Sequence, residues 1–372
     1  MYIRTTPLQK NMVPVLPSYM NPDQVLFFDI ETSGFSAEVT TLYLIGCIYK
    51  EEGIWKLVQW FADDNHSEAF IIQAFLDLSH RFRYILHYNG NGFDIPYLTK
   101  RSERYQIPFE IPGEKSIDIY KILLPYKKLL NLPSLKQKMV ESFLGITRKD
   151  RFDGGELIQV YAKYIKSKYG HLPDEEELLD ILLLHNAEDL TGLLQITPLL
   201  SIPSMTINHK ITSASMLNDT PTSKLLSIQL GFDLSLPKAI QISNNEGIVL
   251  YANDKGGCLT VPLLEGELKY FYSNYKDYYY LPMEDMAIHK SVATYVDKEF
   301  RTKAKASTCY IRRKGTFVPL YQSILEPCYY QEYHDSISWF ETNDSFLSNA
   351  ELLSTYVNHL IDSLLIHNTN KK

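Results

Sequence analysis

The apolar positions from residue 25 onward change period in a regular order. VLFFDIE (25–31), TLYLIGCIYK (41–50) and WKLVQWFA (55–62) are runs of β-forming residues separated by SGF and the turn-like EEG, which predicts three antiparallel strands. SEAFIIQAFLDLSHRF (67–82) carries apolar residues at helical spacing behind a cap-forming Ser67, and YILHYN (84–89) returns to strand character. Further helices are predicted over 93–105, 119–130 and 133–144, with SIDI (116–119) a short strand between the first two. The stretch 173–196, PDEEELLDILLLHNAEDLTGLLQI, opens with a proline and an acidic first turn, where the helix dipole favours negative charge, and reads as one long helix. A helix that follows an antiparallel meander returns the fourth strand parallel to the first through a right-handed crossover. The expected fold over 24–201 is therefore α/β, a mixed five-stranded sheet flanked by helices.

The pattern changes near residue 202. SIPSMTINHKITSASMLNDTPTS is polar and turn-rich and reads as a linker, or as the loop-like start of a second domain. Short β-like runs follow in KAIQISNN, GIVLYANDKGGCLTVPLL and ELKYFYSNYKDYYYLP, and NAELLSTYVNHLIDSLL has helical spacing. Residues 202–372 are thus expected to form an α+β domain of unassigned role, with 1–23 an N-terminal extension; 372 residues accommodate two domains.

Composition narrows the classes. With 45% hydrophobic and 22% charged residues the chain is neither collagen-like nor wholly disordered, and a net charge of -7 argues against coating nucleic acid by bulk charge, so any such contact is confined to a local groove. Cys47, Cys258, Cys309 and Cys328 form no CxxC pair, which points to free thiols rather than a zinc site or a disulfide framework. The N-terminus has no apolar leader core, and no stretch approaches the ~18 apolar residues of a membrane span. The expectation is a cytoplasmic protein without a membrane partner.

The chemistry lies in acids at the ends of predicted elements. Asp29 and Glu31 are two apart on the first strand, so both side chains leave the same face. Asp94 follows HYNGNGF at the end of the fourth strand, near the same sheet edge. Asp189 lies four residues after His185 on the long helix, one turn away on the same face. Four carboxylates in one site repel unless a cation neutralises them, and hard oxygen donors suit Mg²⁺ or Mn²⁺. Two such ions roughly 4 Å apart could activate a water and stabilise the leaving oxygen of a phosphodiester. His185, with an ordinary pKa near 6.5, is the expected general base, facing solvent beside carboxylates that converge within ~4–6 Å.

FFDIETSG, HYNGNGFDIPYL and HNAEDLTGLL resemble the three exonuclease motifs of the DEDD superfamily, which has a ribonuclease H-like fold and includes proofreading-type 3′–5′ exonucleases. Over about 24–200, the intervening LPSLKQKMVESFLGITRKDRFDGGELIQVYAKY included, the chain is similar to the bacterial YprB-type group of ribonuclease H-like proteins. The resemblance implies that Asp29, Glu31, Asp94 and Asp189 are the metal ligands, that His185 occupies the catalytic-base position, and that Asn89 and Phe93 orient backbone or substrate. In the histidine branch of that superfamily the base stands five residues before the last aspartate, and in the tyrosine branch four; here a histidine has the tyrosine-type spacing.

Other charged residues have two readings. Lys100, Arg101 and Arg104 on the helix after Asp94, and Arg148 and Arg151 before the next helix, could contact phosphate or form solvated faces. Asp118, Asp150 and Asp153 are expected as structural or capping residues, Asp153 the nearest of them to the site. Gly90 and Gly92 fit no dinucleotide or P-loop spacing, so a tight turn is expected there and no nucleotide cofactor. In the second half, tyrosines interleave with Lys303, Lys305, Arg312, Arg313 and Lys314, a pattern that suits either single-strand stacking or a sheet core with polar edges. No motif covers Glu284, Asp285, His289 and Lys290. The expected function is a Mg²⁺- or Mn²⁺-dependent 3′–5′ exonuclease on single-stranded DNA or RNA. The alternatives are a catalytically weak or inactive nucleic-acid-binding module and an interaction protein of a repair or processing complex.

Overall fold

The computed structural model describes residues 1–64, 66–152, 154–203, 209–220, 223–232, 236–254 and 256–366. The chain divides into two compact units, Met1–Pro203 with Leu236–Lys238, and Ser204–Ser235 with Ala239–Lys372. In the first unit, β1 (Tyr2–Pro7), β2 (Val25–Thr32), β3 (Leu42–Glu51), β4 (Ile54–Phe61), β5 (Tyr84–His87) and β6 (Ser116–Asp118) form one sheet in the order β1-β4-β3-β2-β5-β6. The β2/β5 and β5/β6 pairs are parallel and the others antiparallel. The crossover from β4 to β5 is α1 (Glu68–Ser79), as its helical spacing predicts.

Both faces of the sheet are covered, which is why β2 and β3 read as nearly continuous apolar runs. Leu26, Phe28 and Ile30 pack with Cys47, Val58 and Trp60 under α1 and α2 (Asp94–Arg104). Tyr43, Leu44 and Phe61 pack on the other face against α5 (Gly154–Gly170) and α6 (Glu175–Gln195). Alternation along β2 therefore sends Asp29 and Glu31 to the α6 side.

Several expectations are corrected. The sheet has six strands, not five, because residues 2–7 of the expected extension pair with β4 as an edge strand. The helix predicted over 119–130 is confined to α3 (Ile119–Leu123) and a 3-10 turn, since Pro125 lacks the amide that would continue it. The next helix begins at Gln137 rather than 133, as α4 (Gln137–Phe143). Ser67 does not cap α1 with its side chain; its Oγ donates instead to Asp64 Oδ1. No helix among the described residues is long and apolar enough to cross a membrane.

In the second unit, β7 (Lys210–Thr220), β8 (Ser223–Gly231), β9 (Ile240–Ser243), β10 (Val249–Asn253) and β11 (Gly256–Pro262) form an antiparallel sheet in the order β7-β8-β11-β10-β9. The polar stretch read as a linker or loop thus contains an edge strand, polar because most of its side chains face solvent. The tyrosine-rich segment resolves to a sheet core: Tyr272, Tyr275, Tyr278 and Tyr280 pack around Ala287, Ala304 and Cys309. Arg312 pairs with Glu267 and Asp285, and Arg313 with Glu341. Asp285 also accepts from Tyr310 Oη at 2.6 Å, and Lys290 pairs with Asp277, so the unexplained cluster is held in structural contacts. Helix Ala350–Ile366 buries Leu353, Tyr356, Val357, Leu360, Ile361 and Leu364.

Candidate active site

Asp29 is held by Asn186, whose Nδ2 donates to Asp29 Oδ2 at 2.9 Å. Asn186 is wholly buried, and its Oδ1 accepts from Gln59 Nε2 at 3.0 Å, so a chain of amides runs from β4 through α6 to β2. The sequence signal for these amides is a polar residue within an apolar stretch: Gln59 in the VQWF run of β4 and Asn186 among the buried positions of α6. Glu31 lies where the β2/β3 register slips, between Glu31 and Thr32. Its Oε1 is 3.8 Å from His185 Nε2. Asp94 begins α2 and is 7% exposed.

The structure places Asp29, Glu31, Asp94 and Asp189 within electrostatic reach of one another. Burial, and then the charges of Asp189, Glu31 and Asp94, push the Asp29 carboxyl well above its ordinary range, against the Asn186 hydrogen bond. Burial raises Glu31 from 4.5 to about 8, with the positive charge of His185 opposing and Asp189 and Asp94 adding to the rise. Burial also raises Asp94 from 3.8 to about 7, against two backbone hydrogen bonds and with help from Asp118 and Asp189. Asp189 goes the other way. Burial would raise it, but the His185 hydrogen bond and the charges of His185 and Arg148 outweigh that and hold it below 3.8.

His185 differs from the solvent-facing base that was expected. It is 5% exposed, with Nδ1 2.7 Å from Asp150 Oδ2 and Nε2 3.2 Å from Asp189 Oδ2. Burial alone would lower its pKa, but the Asp189 hydrogen bond and the charges of Glu31, Asp189 and Asp150 raise it from 6.5 to about 9. The compact donor cluster among the described residues is Glu31, His185 and Asp189, with ligand atoms within 4.8 Å of one another; Asp29 and Asp94 lie outside it.

Asp150, expected to be structural, is the residue on His185. Its carboxylate also meets Lys138 Nζ at 3.2 Å, and the Glu188 carboxylate fixes its loop by accepting from the amides of Lys149 and Asp150. Nothing in sequence spacing links positions 150 and 185. Asp153 lies outside the described residues. Asp118 caps α3 and accepts from the amides of Asn89 and Asn91.

The basic and secondary positions separate. Arg148 does not face solvent; its guanidinium is paired with Glu141 and Asp189. Arg101 is 2% exposed and paired with Glu68, which removes it from any phosphate-binding or solvated face. Lys100 pairs with Glu38 at the surface. Arg151 is exposed and makes no ion pair among the described residues. Asn89 is exposed with φ 60, in the turn that Gly90 closes: a Cβ on Gly90 would lie 2.6 Å from His87 Nδ1. Phe93 is half-buried, its ring 6.2 Å from that of the exposed Phe35.

Residues 26–201 match the family model described as RNase H superfamily. The first unit carries an RNase H-like fold. No curated protein matches the chain. Among solved structures it is similar to the family B DNA polymerase from the hyperthermophilic archaeon Pyrobaculum calidifontis, at 14% identity and a TM-score of 0.36, over 70% of this chain. It spans 36% of that polymerase chain.

The donor chemistry of the RNase H-like unit fits a hard divalent cation. Asp94 is buried and Asp29 and Glu31 half-buried, all three are raised by desolvation and by neighbouring acids, and among the described residues only Glu31 of the three lies within 4 Å of a basic side chain.

Proposed function

We propose that this unit is a metal-dependent nuclease, a 3′–5′ exonuclease acting on single-stranded DNA or RNA with two Mg²⁺ or Mn²⁺ ions held by Asp29, Glu31, Asp94 and Asp189. The observation that carries the reading is the gathering of Asp29, Glu31 and Asp94 within electrostatic reach of one another, Asp94 buried and the other two half-buried, so that they cannot all ionise comfortably until a cation joins them. Bound divalent ions would supply polarisation of the phosphodiester and a more acidic attacking water. The protein's own groups set orientation. Asn186 fixes the Asp29 carboxylate, and Asp150 holds His185 by Nδ1, confining proton exchange to Nε2, the atom that faces Glu31 and Asp189. Asn89, Phe93 and Arg151 are the proposed substrate contacts, whereas Arg148 is taken up by Asp189 and Glu141.

The test is incubation of 5′- and 3′-labelled single-stranded DNA and RNA with the full chain in Mg²⁺, in Mn²⁺ and in chelator, beside Asp29→Asn and Asp94→Asn. Metal-dependent shortening from the 3′ end, lost in both variants, supports the reading. Cleavage that survives chelation or either substitution overturns it.

A second reading, a catalytically weak or inactive nucleic-acid-binding module, is favoured by one observation: Arg148 and His185 already pair with Asp189. Binding without shortening in the same assay selects it.

A further inference from the structure

Gln137, which reaches the Asp189 backbone, also lines a cavity of about 560 Å³ that shares Asn89 with the proposed substrate contacts. Its size falls within the ~300–1,000 Å³ of small-ligand sites. One wall is a corner of two tyrosines: the rings of Tyr88 and Tyr120 stand 5.9 Å apart at 68°. Tyr88 is fixed there, since its hydroxyl donates to the Leu135 carbonyl at 2.6 Å. Lys127 and Lys136 line the same cavity, both exposed and neither in an ion pair among the described residues. Asn89 and Gln137 complete the wall toward the carboxylates. Gln137 joins the two places directly, because its Nε2 donates to the backbone carbonyl of Asp189 at 2.7 Å.

Two tyrosine rings set edge to face beside lysines that make no ion pair among the described residues are the chemistry of a single-strand nucleotide subsite. A base stacks on an aromatic face regardless of sequence, and ammonium groups take up the flanking phosphates. A purely apolar ligand would not call for two free lysines, and a bare anion would leave the tyrosine corner without purpose. We infer that this cavity holds one nucleotide of the bound strand away from the scissile bond, with its base against Tyr88 and Tyr120 and its phosphates beside Lys127 and Lys136. The assignment rests on the nuclease reading of the adjoining carboxylates and names where the rest of the strand lies.

The test separates the two. Fluorescein-labelled oligothymidylate and oligouridylate of about ten nucleotides are titrated with the full chain in chelator, with anisotropy as the readout, for the wild type, Tyr120→Ala and Lys127→Ala/Lys136→Ala. Tyr120→Ala is expected to raise Kd about tenfold. The double lysine variant is expected to raise Kd to a similar degree and to reduce the slope of log K against log salt by about 1.4. Both lysines are exposed, so the double variant keeps the test valid should Tyr120→Ala fold poorly. Wild-type-like Kd and salt slope in the double variant, or no binding by the wild type, overturns the subsite. If instead the wild type binds, the variants bind weakly and no metal produces cleavage, the subsite stands and the nuclease reading falls.

Discussion

Gly46 lies opposite Asp29 in the β2/β3 register, and the space its side chain would fill belongs to Asn186: a Cβ there would sit 2.0 Å from Asn186 Oδ1 and 2.5 Å from Leu190 Cδ1. The glycine admits α6 close enough to the sheet for Asn186 to reach the carboxylate of Asp29. Gly46→Ala is therefore expected to push α6 outward at an overpacking cost of about 1–3 kcal/mol. That corresponds to a fall in Tm of roughly 2–4 °C per kcal/mol for a unit of this size. Metal affinity should fall with it. A thermal melt and a Mn²⁺ titration check both, and a variant with unchanged Tm would show that the close approach has no energetic consequence.

Asp29→Asn should separate stability from function. Asp29 is half-buried and raised first by desolvation and then by neighbouring acids, so removing its charge relieves both penalties in chelator. In chelator the variant is expected to melt above the wild type. In Mn²⁺ it should lose at least about 100-fold of the cleavage rate, together with the metal-induced rise in Tm. A variant less stable than the wild type in chelator would mean that the site is not under electrostatic strain.

The pH dependence has a definite sign. Glu31 is raised from 4.5 to about 8 and Asp94 from 3.8 to about 7, each chiefly by burial, so between those values the native state keeps protons that the unfolded chain has released. The stability these groups contribute is fully present below their unfolded values and is lost as pH rises through about 7 and about 8. Cations compete with those protons, so saturating Mg²⁺ should raise Tm clearly at about pH 8.5 and hardly at all at about pH 5.5. Equal rises at both would place the cation elsewhere.

What could be read in the sequence was local. The alternation in VLFFDIE, the helical spacing of α1 and the four-residue step from His185 to Asp189 are properties of neighbours in the chain. Together with the crossover rule they suffice for a mixed sheet with Asp29, Glu31 and Asp94 near one end. What escaped depends on distant partners. Residues 2–7 become a strand only because the edge of β4 lacks a partner, and residues 210–220 only because β8 does. Asp150 meets His185, and Asn186 meets Asp29, through tertiary packing that no periodicity encodes.

Arg148 shows the same limit with a measurable consequence. A phosphate-binding arginine at the surface could be removed at little cost in stability. Here the Glu141 side chain is 1% exposed and that of Arg148 9%, so Arg148→Ala would strand a buried carboxylate. The expected loss is about 3–5 kcal/mol, and Arg148→Lys should rescue it poorly because the paired carboxylates use the guanidinium fork. Denaturant unfolding distinguishes this from a surface contact, for which stability would stay within about 0.5 kcal/mol of the wild type.

The Glu68–Arg101 pair makes the sharpest stability prediction in the unit. Arg101 Nε donates to Glu68 Oε1 at 2.6 Å, Arg101 Nη1 donates to the Ala37 carbonyl at 2.8 Å, and the Leu42 amide and the Tyr105 hydroxyl both donate to Glu68. The pair ties the start of α1 to α2, the helix whose first residue is Asp94, and holds the loop that enters β3. Glu68→Gln or Arg101→Met alone leaves the other charge buried and should cost about 3–5 kcal/mol. The double variant removes both charges and should cost less than the sum of the two, yet not become neutral, because the Ala37 carbonyl loses its donor. A double-mutant cycle by denaturant unfolding reads the coupling directly. Strict additivity would mean that the two side chains stabilise the unit independently.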